Sequence, residues 1–204
     1  MVCSSGPHRV EVTGYGSALS TCYGHAVTAE QPIWRDFLTL DDAALLAQCD
    51  FDRFRASGPG GQKRNVTDSA VRLRHRPSGV RAEANESRSQ HENRARALRR
   101  LRRAIAVQVR APVDLDGYSP APEIEAVRTR DGRVAVGTRD ARFLPAIAAL
   151  FDVLEAAEWR VSDAARAAGV STAALGRLLA QDAAVWRGAN ERRRAHGLSA
   201  LRAR

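Results

Sequence analysis

The sequence predicts an α+β protein: a small β-α-β-β-α domain followed by an all-α, helix-turn-helix-like segment. Three observations carry this. Two period-two runs, Val71-Arg72-Leu73-Arg74-His75-Arg76 and Val80-Arg81-Ala82-Glu83-Ala84, flank the turn residues Pro77-Ser78-Gly79, which reads as a hairpin. A long run of helical spacing follows from Ser89, and beyond residue 140 only helical spacing recurs. With 204 residues, 44% hydrophobic content and no apolar run long enough to span a bilayer, the chain has material for one good core or two small ones.

Residues 1–31 show no sustained period and are expected to be poorly ordered. Their start lacks a charged region followed by an apolar one, so no secretion is expected. Three widely spaced cysteines fit neither a disulfide framework nor a zinc site, and point to a reducing, cytoplasmic setting. Five scattered histidines give no metal site, and no cofactor is expected.

A domain over residues 32–110 comes next. Asp41 reads as the cap of a short helix through Leu46, and Phe51 to Phe54 as a short strand. The strand leads into Arg55-Ala56-Ser57-Gly58-Pro59-Gly60-Gly61-Gln62, where three glycines and a proline exclude helix and central strand. Glycine enters the left-handed region without steric cost, so this tip turns where a side chain would not fit. Lys63 and Arg64 flank it with positive charge. Thr67-Asp68-Ser69 reads as a short turn of helix before the hairpin. One hairpin face then holds Val71, Leu73, Val80 and Ala82, and the other Arg72, Arg74, Arg76 and Arg81, a cationic surface. Ser89 followed by Glu92 has the capping-box pattern and opens a helix to about Val109. Leu98, Leu101 and Ile105 lie on one side of it; Arg96, Arg99, Arg100 and Arg103 lie on the other, read as a row without acidic partners.

Residues 111–140 read as a linker, with prolines at 112, 120 and 122 and two short extended pieces, Ala126–Arg130 and Val134–Thr138, joined by a turn at Asp131-Gly132. Residues 141–204 form the helical segment. Leu144, Ile147, Phe151 and Leu154 line one helix, Ser162 caps a second ending at Gly169, Ser171 caps a third with Leu175, Leu178 and Leu179 inward, and Gly197 stops the last.

Charge placement supplies a functional clue. The net charge is +9, yet residues 51–110 hold 16 Arg or Lys against five Asp or Glu, a balance of +11. The remainder is therefore slightly acidic. Such a concentration around a glycine loop marks a phosphate-binding surface.

Arg55 through Gln62, Asn65, Thr67 through Leu73, His75, Pro77-Ser78-Gly79, Arg88-Ser89-Gln90 and Asn93 together resemble the catalytic domain of peptide-chain release factors. The resemblance spans about residues 40–110 and is nearest to the codon-independent hydrolases that rescue stalled ribosomes. It implies cleavage of the peptidyl-tRNA ester in the peptidyl-transferase centre, with large-subunit ribosomal RNA and peptidyl-tRNA as partners and the protein acting as a monomer. Gly60, Gly61 and Gln62 would be the catalytic tip: a backbone N–H at Gln62 donates to the tetrahedral oxyanion, and its side chain orients water. In the family this glutamine is often methylated by a separate enzyme. RNA contact would fall to Arg55, Lys63, Arg64, Asn65, Arg72, Arg74, Arg76, Arg88, Gln90, Arg96, Arg99, Arg100 and Arg103, with Asn93 as a contact or a loop support. Arg64 and Val66 depart from the family pattern, in which a small apolar residue and a lysine are usual. About fifty residues precede the loop, so stop-codon decoding is not expected. Two other readings stay open: a non-catalytic nucleic-acid-binding regulator using the helix-turn-helix-like segment, and a ribosome-binding factor without hydrolase activity.

Overall fold

A computed structural model describes residues 33–54 and 69–202 of the chain. The expected disorder of residues 1–31, the glycine loop and most of the short helix at 67–69 lie outside the described residues. What is described is mixed α+β and falls in one compact unit.

Two short helices, α1 (Trp34–Leu38) and α2 (Asp42–Ala47), come first. Asp41 caps α2 as the sequence implies, its carboxylate accepting from Ala44 N at 2.7 Å. Strands β1 (Cys49–Phe54), β2 (Ala70–His75) and β3 (Arg81–Ala84) follow in an antiparallel sheet of that order. The period-two reading holds: Val71, Leu73, Val80 and Ala82 are buried, and His75 and Ala84 join them on the same face.

His75 is a buried polar group on that face. Its ring stands edge-on to Phe37, Nδ1 lies 2.7 Å from Ser78 Oγ and Nε2 lies 2.9 Å from Gln48 Oε1. The imidazole thereby ties the hairpin turn to the end of α2. Burial pushes its pKa below the usual histidine value, and the neighbouring Arg76 adds to this. A base depressed in the folded state contributes stability above its unfolded pKa of about 6.5 and loses it as pH falls toward the folded value. The melting temperature is therefore expected to decline from about pH 6.5 downward, and a His75→Gln variant to lack that acid limb.

Helix α3 (Gln90–Gln108) covers the apolar face of the sheet. Ser89 Oγ accepts from Glu92 N, giving the predicted cap. Arg102, on the flank of α3, reaches Leu40 O at 2.7 Å and Asp42 Oδ1 at 2.8 Å, fixing α1 and α2 against the helix.

The segment 111–140 is packed rather than extended through solvent. Pro122 starts a one-turn helix, α4 (Pro122–Glu125), a position where its missing N–H costs nothing. Arg35 forks onto Glu123 at 2.7 and 3.0 Å, and Ile124, Val127 and Val136 enter the core. The expected turn at Gly132 is present with φ +71°, closing a single bridge between Arg128 and Val134. Ala126, read as extended, instead caps α4.

Helices α5 (Phe143–Ala156), α6 (Val161–Ala167), α7 (Thr172–Ala180) and α8 (Ala183–Ala195) complete the described chain. Helix α5 is buried along Ala146 to Leu154, nearly all round rather than on the one side expected. It packs on α3, so a single core runs from Trp34 to Ala189. Ser162 is not a cap: α6 begins at Val161, two residues earlier than a Ser162 cap implies, with Arg160 at the cap position. The cause is the reversal before it, where Glu158 and Trp159 adopt φ of 51° and 61°, a conformation costing about 1–3 kcal/mol per residue. Burial of Trp159, its indole hydrogen bond to Glu155 at 3.0 Å and an edge contact with Phe151 hold it there. Ser171 does cap α7, accepting from Ala174 N. At Gly188, α8 comes so close to α3 that an added Cβ would sit 2.5 Å from Val107 Cγ1.

Candidate nucleic-acid interface

The site is organised around the chain leaving β1 and entering β2. Phe54 is paired with Ala70, so the intervening residues depart from and return to neighbouring strands. Gly60, Gly61 and Gln62, with Arg55, Lys63, Arg64 and Asn65, lie outside the described residues.

The returning end is clamped from α3. Asn93 is 0% exposed, and its Nδ2 donates to Ser69 O and to Ser87 O, each at 2.7 Å. Its Oδ1 accepts from Ser87 N at 3.0 Å. Two carbonyls on one side and an N–H on the other fix the amide's orientation. One buried side chain thus joins the re-entry point of the loop to the turn preceding α3. The sequence marks Asn93 as a contact or a support; the geometry makes it a support.

The outer hairpin face is less cationic than the alternation implies. Strand β1 pairs Asp50 with Arg74 and Asp52 with Arg72, placing two carboxylates among the arginines. Arg72 bonds Glu83 at 2.6 Å and lies over the Phe54 ring, while Arg76 bonds Ala47 O at 2.7 Å and Asp50 at 3.3 Å. Arg74 and Arg81 remain, directly opposite each other, exposed, and without an ion pair among the described residues. Like charges facing each other across strands repel, so an anion between them would be stabilising.

The arginine row on α3 also differs from the sequence reading. Arg96 has Glu92 at i−4, 3.5 Å away; Arg100 binds Glu86 and Glu83 O; Arg103 binds Asp182 at 2.7 Å. The reading as a row without acidic partners is therefore corrected. The partners come from one turn back, from the β3–α3 connection and from the cap of α8, and only Glu92 was within reach of a local pattern search. Arg99 and Arg88 are exposed and make no ion pair among the described residues, and Gln90 opens α3 half-buried. Arg94, 5.8 Å above the exposed Phe51 ring, is a further cation that the sequence reading left out.

An antiparallel sheet backed by one long helix, with a glycine-rich connection issuing from its edge strand, defines a class, and comparison with known families agrees. Residues 45–131 match the RF-1 domain, so this part of the chain is similar to a domain of the peptide-chain release factors. The match encloses β1, the Gly-Gly-Gln residues, the hairpin, α3 and α4.

Among curated proteins, the chain is 42% identical over 99 residues to peptide chain release factor 2 of Paramagnetospirillum magneticum, covering 48% of this chain and 26% of that protein. It is 44% identical over 105 residues to peptide chain release factor 1 of Nitrosomonas europaea, covering 52% and 26%. A shorter stretch of 54 residues is 52% identical to peptide chain release factor 1 of Salinibacter ruber, covering 26% and 15%. The chain thus spans about a quarter or less of the length of these relatives.

Proposed function

We propose that the protein releases nascent peptides by hydrolysing the peptidyl-tRNA ester within the ribosome, acting on stalled complexes without reading a codon. The observation that carries this is the RF-1 match over residues 45–131, which encloses Gly60-Gly61-Gln62 between two paired strands. Ester hydrolysis passes through a tetrahedral oxyanion, and a backbone N–H at Gln62 is a suitable donor to it. The Gln62 amide cannot titrate; it orients water and leaves no role for a side-chain general base. Arg55, Lys63, Arg64, Arg74 and Arg99 supply cations for ribosomal RNA phosphates. Arg88 adds a further cation, Asn65 and Gln90 add uncharged hydrogen-bonding groups, and Arg72, Arg76, Arg96, Arg100 and Arg103 serve by exchanging protein carboxylates for phosphates. Large-subunit RNA and peptidyl-tRNA are the partners, a methyltransferase acting on Gln62 is a further one, and the protein works as a cytoplasmic monomer.

Codon independence is supported by chemistry. Helices α5–α8 lie beyond the matched range and share the core of the domain, and the exposed side of α7 carries Thr172, Ala173, Gly176 and Arg177. Of these only Thr172 and Arg177 can hydrogen-bond base edges, too few to read the three bases of a codon. The same poverty of base readers weighs against a sequence-specific regulator built on α6 and α7. The test is release of labelled peptide from purified ribosome complexes with a stop codon, a sense codon or a truncated message. Release from the truncated complex without any stop codon is expected. Release confined to the stop-codon complex would reject codon independence while leaving hydrolysis in place.

A further inference from the structure

The exposed side of α7 does not project freely into solvent. Beside it stand Trp186 of α8 and the returning residues Leu201 and Arg202, which wall a groove of about 970 Å³. The wall is held by specific bonds: Asn190 Oδ1 accepts from Leu201 N at 2.6 Å, and Arg193 Nε donates to Ser199 O at 3.0 Å. Among the described residues no carboxylate lines the groove. Two of its lining residues are arginines, Arg177 and Arg202, both exposed and without an ion pair among the described residues. Thr172 and Gln181 also line it, and Gly176 adds open floor, since a Cβ there would meet nothing within 4 Å.

We propose that this groove binds single-stranded RNA, one base stacking on Trp186 while Arg177 and Arg202 meet the flanking phosphates. Two guanidinium groups in a groove that shows no carboxylate among the described residues call for an anionic occupant. An indole beside them suits the face of any base, the combination used for sequence-tolerant binding of single strands. A duplex read by a helix-turn-helix needs its second helix to stand clear, and here Trp186 and Leu201 wall that helix. The proposal rests on the release reading only for which RNA is met, ribosomal or transfer. Its chemistry stands apart from the glycine loop.

The molecule carries its own reporter. Trp34 and Trp159 are 1% and 0% exposed, leaving Trp186 as the partly exposed tryptophan whose emission a stacked base can quench. The full chain is titrated with an unstructured 12-nucleotide oligoribonucleotide, following tryptophan emission and, separately, anisotropy of a labelled strand. Saturable quenching is expected, and Gly176→Glu, which places a carboxylate in the groove at an open helix position, is expected to weaken it at least tenfold. Replacing Arg177 and Arg202 together by alanine should reduce the slope of log K against log salt by about 1.4, the value for two phosphates on a single strand. Trp186→Phe should abolish the emission change while anisotropy still reports binding. Anisotropy binding with no emission change in the unaltered chain, or quenching unaffected by Gly176→Glu, would overturn the proposal. So would quenching by poly-glutamate and not by RNA, which assigns the groove to an acidic polypeptide. No ribosome or peptidyl-tRNA enters this measurement, so its failure and a failure of peptide release are told apart.

Discussion

Replacing Asp152 by alanine is expected to remove about 3–5 kcal/mol of stability, the usual consequence of orphaning a buried ion-pair partner. Asp152, on α5, is 2% exposed and accepts from Trp34 Nε1 at 2.6 Å and Ala111 N at 3.0 Å, while Arg110 lies 3.0 Å away. These bonds join α1, the end of α3 and α5 at one point. Loss of water raises the Asp152 pKa despite the adjacent Arg110, and lowers that of Arg110 to about 10 despite the adjacent Asp152. Burial therefore outweighs the attraction on both sides of the pair. Alanine would leave the Arg110 guanidinium with only the carbonyls of Ala106 and Ala148, and two further N–H groups without acceptors. A double variant, Arg110→Met with Asp152→Leu, removes both charges and should recover part of the loss, because uncharged side chains of similar volume tolerate burial better than a lone ion. Urea unfolding of the three proteins measures this. A single-variant loss below about 1 kcal/mol, or a double variant less stable than the single, would contradict the account.

Asn93→Asp is expected to lower the rate constant of peptide release about 100-fold while leaving half-saturating protein concentration on ribosomes nearly unchanged. The substitution preserves shape and the acceptor for Ser87 N. It turns the two-carbonyl donor into an oxygen facing Ser69 O and Ser87 O, which repels both. Ser69 is the first described residue after the glycine loop, so freeing it displaces whatever the loop places at the ester. Geometry errors of about 1 Å cost on the order of 10² in rate. A residue that acted by RNA contact would raise the half-saturating concentration instead, and that split decides between the two roles. The readout is a single-turnover release assay over a range of protein concentrations.

Much of the α+β domain could be read from local patterns. Alternation at 71–76 and 80–84 located the hairpin because one face of the sheet is buried. Ser89 located the start of α3 because helix caps are local hydrogen bonds. What escaped reading depends on partners distant in sequence. The carboxylates that temper the hairpin arginines are Asp50 and Asp52, and only the β1–β2 register brings them across from Arg74 and Arg72. Arg103 is answered by Asp182 from another helix, and Trp34 meets Asp152 across 118 positions. Helix α4 was concealed by Pro122 at its start and Pro120 before it, since prolines signal a linker as readily as a first helical turn. Ser162 misled because the left-handed pair Glu158 and Trp159 reverses the chain without a glycine.

The central claim is that the Gly-Gly-Gln tip releases the peptide, and one experiment addresses it directly. Labelled peptidyl-tRNA on purified ribosomes stalled at the end of a truncated message is incubated with the unaltered protein or with Gly61→Ala, and free peptide is counted with time. The account predicts release by the unaltered protein and a loss of at least about 100-fold with Gly61→Ala, since a methyl at the tip displaces the oxyanion donor. Equal release by the two proteins would contradict it.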